Sequence, residues 1–265
     1  MALLKRVLTF LLFLPMLAYS QAYGVYDPNL RQFQQELNST DVRSIASITK
    51  MFTAATIVRS GAGMEELVLV QGKSGGRFAR GSMVPRIDLF KAMLISSDNL
   101  AAESLAHGHP GGYDQFLRDV DATIAHAGLH HTSIVEPTGL SADNKSTVED
   151  LARYLVYLQA YPVIQQVSSE REDRLQYKRG KKIITVNLRN TNPSMFVYDT
   201  ITMSKTGFTN AAGRCVAMLV KRGTNFVAVV VLGQRDVQSR SRVVDTLFKN
   251  INAQTITSQV ALVAE

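Results

Sequence analysis

Hydrophobic positions along this chain change their period several times, and each change predicts an element. Residues 7–17 are a continuous apolar run behind Lys5 and Arg6, with small residues at positions 18 and 20. That pattern predicts a secretory leader over residues 1–20, cut near residue 20, and the run is too short for an ordinary membrane-spanning helix. An uncleaved N-terminal anchor is the alternative. Residues 23–27 alternate and end in Asp27-Pro28-Asn29, a strand followed by a turn, with a second short strand near 33–37. Residues 47–58 carry Met51, Ala54, Ala55 and Val58 at helical spacing. Residues 89–107 read as helical apart from a polar break at Ser96-Ser97-Asp98-Asn99, and 113–127 as a helix closed by Gly128. Residues 146–160 read as a helix with a Ser146…Glu149 capping box, and Pro162 stands just beyond it.

The texture then turns β-rich at 182–188, 200–205, 214–221 and 226–232, with a hairpin turn at Gly223-Thr224-Asn225 and a closing helix over 237–251. Strands at both ends of the chain favour one shared sheet with a helical block inserted. The expected organisation is a domain over 21–252, its sheet part 21–62 and 165–252, its helical insert 63–164, and a loose tail over 253–265. Residues 72–81 are Gly-rich and basic and predict a surface loop.

Composition narrows the class. The 265 residues are 46% hydrophobic and 19% charged, which excludes a disordered or fibrous chain. One cysteine, Cys215, excludes a disulfide framework or a multi-cysteine zinc site, and a small buried core residue is its expected role. Net charge is +7, or +5 once Lys5 and Arg6 leave with the leader. That excess suits anionic surroundings such as a cell wall or lipid headgroups. The charges read as scattered, with no aromatic-laced basic stripe, so nucleic acid is not an expected partner.

Three short motifs carry the candidate chemistry. Ser47-Ile48-Thr49-Lys50 opens a helix, and residues three apart share a helix face, so the Lys50 amine can reach the Ser47 hydroxyl. Serine needs such a base to become a nucleophile, and lysine becomes one when burial lowers its pKa. The helix N-terminus offers N–H groups to a developing oxyanion. Ser97-Asp98-Asn99 interrupts an apolar stretch, where unpartnered polar groups are costly. Ser97 is a candidate proton relay and Asn99 a candidate clamp on a substrate amide. Lys205-Thr206-Gly207 ends an alternating strand. There Lys205 would supply positive potential, Thr206 would donate to a carboxylate, and Gly207 would let the backbone approach a ligand. Each motif alone also fits an ordinary helix start, break or turn. In this order, however, they are the signature of serine acyl-transferases that react with penicillins.

The sequence further resembles the serine D-Ala-D-Ala peptidases, the low-molecular-mass penicillin-binding proteins, on their endopeptidase side. The matching stretches are residues 42–50 (VRSIASITK), 96–102 (SSDNLAA), 110–113 (PGGY), 135–141 (VEPTGLS), Ser146-Thr147 with Glu149-Asp150-Leu151, 189–192 (RNTN) and 205–215 (KTGFTNAAGRC). The resemblance implies an α+β, β-lactamase/transpeptidase-like fold: an antiparallel sheet flanked by helices with an inserted helical subdomain. It implies Ser47 as the acylated nucleophile, Lys50 as its base, Ser97 and Asn99 as the second pair, and Lys205, Thr206 and Gly207 as the third. It also implies an oxyanion hole from the N–H groups of Ser47 and Phe208, and Arg240 as a holder of the substrate carboxylate. The implied partners are peptidoglycan stem peptides and cross-links, with β-lactams as covalent inhibitors, in the periplasm. No cofactor, no metal and no stable membrane anchor after leader cleavage are expected. The 72–81 loop departs from the family in composition, and a second β-domain with an amphipathic anchor is not expected after the closing helix.

Four other readings remain open. A D-Ala-D-Ala carboxypeptidase would share every motif. A class A type β-lactamase would use Glu136, before Pro137, to activate water. A zinc peptidase is suggested by His107, His109, His130 and His131, which lack a carboxylate at metal spacing. A non-catalytic peptidoglycan-binding protein would have no use for a nucleophile–base pair.

Overall fold

A computed structural model describes residues 21–263, with side chains through residue 251. The leader expected over 1–20 lies outside the described residues. In chain order the elements are strands β1 (Ala22–Asp27), β2 (Gln32–Leu37) and β3 (Arg43–Ser44), helix α1 (Thr49–Arg59), strands β4 (Leu67–Leu69) and β5 (Met83–Pro85), and helices α2 (Arg86–Ile95), α3 (Asn99–His107) and α4 (Gly112–His126). Strand β6 (Lys145–Ser146), helices α5 (Val148–Tyr157) and α6 (Pro162–Ser169), strands β7 (Glu172–Arg179), β8 (Lys182–Arg189), β9 (Ile201–Thr209), β10 (Gly213–Arg222) and β11 (Asn225–Gln234), and helix α7 (Val237–Val263) complete the chain.

The expected fold class is present. A five-stranded sheet runs in the order β2-β1-β11-β10-β9, every pair antiparallel, so strands from both ends of the chain share it. Its central strands are buried on both faces, which is why residues 227–232 read as an unbroken Val/Ala/Leu run rather than an alternation. On one face Val216, Met218, Val229 and Val231 pack against Val244, Leu247 and Phe248 of α7. On the other, Ala217, Cys215, Val230 and Leu232 join the core of the helical block, where the rings of Phe52 and Tyr154 stack at 4.0 Å. Cys215 is fully buried, as a small core residue would be.

Several local expectations are corrected. The segment 46–48 is a single 3₁₀ turn, and α1 begins only at Thr49. The cap of α5 is Thr147, whose hydroxyl accepts from Asp150 N at 3.0 Å, because Ser146 is spent pairing in β6. Pro162 does stand just beyond the helical stretch that ends at Ala160, and it also opens a further helix, α6, where its missing N–H costs nothing. The β7 strand went unread, since its polar alternation hides a half-buried hairpin: β7 pairs only with β8, apart from the main sheet. The expected loose tail continues α7 as far as Val263.

Candidate functional site

Backbone packing sets the position of Ser47 first. Ile45 N donates to Asn144 O at 3.1 Å, and Ala46 takes a positive φ of 47°, turning Ser47 outward just before α1. Two glycines flank this turn. A Cβ on Gly139, whose φ is +85°, would stand 2.0 Å from Ala46 O. A Cβ on Gly207 would stand 2.8 Å from Ile45 O and 3.0 Å from Ser47 N. The end of β9 and the 136–141 loop can therefore close on the peptide of Ser47 only through glycine.

Lys50, the second residue of α1 and three residues after Ser47, is completely buried. Its Nζ donates to Ser47 Oγ at 3.0 Å, to Asn99 Oδ1 at 2.6 Å and to the carbonyl of Thr138. Burial disfavours the ammonium and outweighs the attraction of Glu136, Asp98 and Glu103, bringing its pKa from 10.5 down to about 7. At neutral pH a large fraction of Lys50 is a free amine, 3.0 Å from a hydroxyl. Ser47 Oγ lies 3.3 Å from Thr138 O.

The second motif occupies the junction of α2 and α3. Ser97 holds a positive φ of 58°, Asp98 caps α3 by accepting from Ala101 N at 2.9 Å, and Asn99 is the first residue of α3. The buried Asp98 carboxylate also accepts from Arg77 N at 2.6 Å. The 72–81 loop is thus tied to the helix start that carries Asn99.

Strand β9 supplies the third wall. Lys205 is 1% exposed, and its Nζ donates to Ser97 Oγ and to Thr206 O, each at 2.9 Å. Burial pushes its pKa well down, with repulsion from Lys50 and Arg240 adding to the effect. Thr206 Oγ1 shares a 2.6 Å hydrogen bond with Thr191 Oγ1. Phe208 is exposed at the strand end, and the guanidinium of Arg214 lies 3.6 Å from its ring centroid. Arg240 is buried on α7 and donates to Cys215 O at 3.3 Å, Cys215 being the cross-strand partner of Gly207. It therefore sits one strand behind the third motif, and burial lowers its pKa.

Direct bonds thus tie Lys50 to Ser47 and Asn99, and Lys205 to Ser97, and Gly207 packs on the turn that carries Ser47. Thr206 accepts from Lys205 through its carbonyl, while Phe208 and Arg240 border the group. Sequence patterns missed two contributors. Thr138 acts through its backbone carbonyl, which no residue-type pattern marks. Asn144 anchors Ile45 N by its carbonyl and Glu136 Oε1 by its amide, at 2.8 Å.

Glu136 itself is fully engaged. Its carboxylate accepts from Thr138 N at 2.7 Å, Thr138 Oγ1 at 2.6 Å, Gly139 N at 2.6 Å and Ser141 N at 3.3 Å, as well as from Asn144. It is the tie that shapes the 136–141 loop. The histidines suggested for a metal do not gather: His109 faces Asp119 at 3.2 Å, and His107 stacks on Tyr113. No group of three metal-ligating side chains occurs among the described residues.

Comparison with known proteins follows the same lines. Residues 18–236 match the model of the peptidase family described as D-alanyl-D-alanine carboxypeptidase. The chain is similar to the D-alanyl-D-alanine endopeptidase of Escherichia coli (strain K12), 38% identical over 199 residues, covering 72% of this chain but 64% of that protein. It is also similar to the D-alanyl-D-alanine endopeptidase of Pseudomonas aeruginosa, 36% identical over 216 residues, 78% of this chain and 69% of that one. The match therefore spans a little under two-thirds of the E. coli relative. Among solved structures, the Streptomyces K15 DD-transpeptidase superposes with a TM-score of 0.81 at 20% identity, covering 87% of this chain and 96% of that one. Penicillin-binding protein D2 of Listeria monocytogenes, in its cefotaxime-bound form, gives 0.73 at 24% identity over 87% of this chain and 96% of that one. With four-fifths of its length inside the family match and the motif residues gathered in one site, the chain belongs to the D-alanyl-D-alanine carboxypeptidase family of serine peptidases.

Proposed function

We propose that this protein is a peptidoglycan hydrolase that cleaves D-alanyl peptide bonds in stem-peptide cross-links through a serine acyl-enzyme. The observation that carries the reading is Lys50: a fully buried amine with a pKa of about 7, hydrogen-bonded to the hydroxyl of Ser47. Neither a binding module nor a structural domain requires that pair. Endopeptidase action is favoured over carboxypeptidase action because the relatives at 36–38% identity carry that name. The catalytic unit proposed is residues 21–252, exported to the periplasm after removal of the leader. No helix among the described residues is long and apolar enough to cross a membrane.

In the mechanism proposed, Ser47 Oγ attacks the carbonyl carbon of D-Ala while Lys50 Nζ takes its proton. The oxyanion forms between the N–H groups of Ser47 and Phe208, a contribution on the order of 10²–10³ in rate per donor in comparable sites. The C–N bond breaks, and the leaving amine receives a proton relayed from Lys50 through Ser97. Water then attacks the acyl ester, Lys50 removes its proton, and Ser47 is released. Asn99 would hold both Lys50 and the substrate amide. Lys205, Thr206 and Arg240 would face the anionic end of the substrate, and an incoming carboxylate would favour the charged form of Lys205. β-Lactams would acylate the same serine. No step calls for a metal or cofactor.

Labelled penicillin should add once to the wild type by intact mass and not at all to Ser47→Ala, and the wild type should shorten cross-linked muropeptides. An adduct on Ser47→Ala would overturn the assignment of the nucleophile. Because Lys50 must be neutral to accept the serine proton, acylation should rise about tenfold per pH unit below 7 and level off above it; a profile flat from pH 5 to 8 would contradict the role of Lys50. Glu136→Gln should weaken the 136–141 loop, lowering stability by about 1–3 kcal/mol in thermal unfolding and slowing acylation. Rapid penicillin turnover abolished by this substitution alone would favour the β-lactamase reading.

A further inference from the structure

The positive charge of this protein is not scattered. Over residues 21–265 cations exceed acids by five, and the hairpin stretch 174–183 alone holds Arg174, Lys178, Arg179, Lys181 and Lys182 with no acid. The remainder of that span is electrically balanced. All five side chains are exposed, and none has an ion-pair partner among the described residues. Three acids near the hairpin base are already engaged: Asp173 holds Lys91 at 2.8 Å, Glu172 holds Arg189, and Glu66 holds Arg86 at 3.0 Å.

Apolar surface accompanies these cations. Ile183, 65% exposed, is the cross-strand partner of Lys178. Beside the hairpin tip, the β4–β5 ribbon presents Leu67 at 59% and Met83 at 47% exposure. Between the two ribbons lies a groove of about 590 Å³ with Leu67, Met83 and Pro85 along one wall, Lys178 and Arg179 along the other, and no acid in its lining. Hydrated cations alone would suit any polyanion. Cations rimming exposed aliphatic side chains suit a surface that is anionic outside and hydrocarbon beneath.

We propose that the β7–β8 tip and the β4–β5 ribbon form a peripheral docking face for an anionic phospholipid bilayer. The cations engage the headgroups while Ile183, Leu67 and Met83 enter the interfacial region. The contact is electrostatic, reversible and independent of any spanning or amphipathic terminal helix. Its groove is lined by none of the candidate site residues, so the proposal holds or fails separately from the catalytic assignment. The face remains joined to the site rim, because Tyr177 of the same hairpin accepts from Ala79 N at 3.0 Å and packs on Phe78.

The test is co-sedimentation of the purified exported protein with vesicles of phosphatidylcholine, with and without about one-third phosphatidylglycerol. Binding should require phosphatidylglycerol and fade in high salt. Each cation removed should lower the partition coefficient about fivefold, so Lys181→Ser with Lys182→Ser should cost about twenty-fivefold. Leu67→Ser with Met83→Ser should weaken lipid binding while leaving retention on dextran sulfate unchanged. The penicillin adduct on each variant serves as the check of folding. Binding that ignores phosphatidylglycerol, or that is equal in wild type and the lysine variant, overturns the proposal. Lipid binding insensitive to the Leu67 and Met83 changes, and competed away by dextran sulfate, would instead assign the face to hydrophilic polyanions.

Discussion

A lysine amine is held out of water beside a serine hydroxyl, and much of the site follows from keeping it there. Lowering the Lys50 pKa from 10.5 to about 7 corresponds to roughly 5 kcal/mol against the charged form. That penalty is tolerable only because Ser47 Oγ, Asn99 Oδ1 and Thr138 O accept the amine's hydrogens. Those acceptors come from three separate stretches of chain, so the amine can be satisfied only when the start of α1, the start of α3 and the 136–141 loop have assembled. A second buried lysine, Lys205, engages Ser97, and burial together with repulsion from Lys50 lowers its own pKa.

The rest of the architecture delivers those acceptors. Glu136 gathers the N–H groups of its own loop and points the Thr138 carbonyl inward. Asp98 caps α3 and fastens the 72–81 loop to it, fixing Asn99 at the first turn. Gly139 and Gly207 allow two backbones to press on the peptide of Ser47. The carboxylates nearest the chemistry thus serve as fasteners. Their remaining pull on Lys50 is too weak to reverse the effect of burial.

The motifs and the shared sheet were legible in the sequence because both are written in side-chain type and periodicity. Ser47 with Lys50, Ser97 with Asn99, and Lys205 with Gly207 carry distinctive chemistry, and the Val-rich run at 227–232 announces a doubly covered strand. What escaped is written in the backbone or in context. The Thr138 carbonyl and the Asn144 carbonyl leave no mark in a residue pattern. The 3₁₀ turn at 46–48 arises from the positive φ of Ala46, which a helix-period reading cannot anticipate. Hairpin β7–β8 buries only Leu175, Tyr177, Val186 and Leu188, too few for a clear β signal in β7. Pro162 reads equally well as a terminator or a first helical residue, and only packing decides. The cluster of cations at 174–182 was visible in the sequence, but its meaning depends on the apolar ribbon folded beside it.

The account stands on the ionisation of one side chain. The most direct measurement is an NMR titration of the purified protein carrying lysine labelled with carbon-13 at Cε, with the Lys50 resonance identified by its loss in Lys50→Arg. The account predicts a midpoint near pH 7, well separated from the surface lysines. A midpoint near the ordinary 10.5 would mean that Lys50 stays charged at neutral pH, and that it is not the base that activates Ser47.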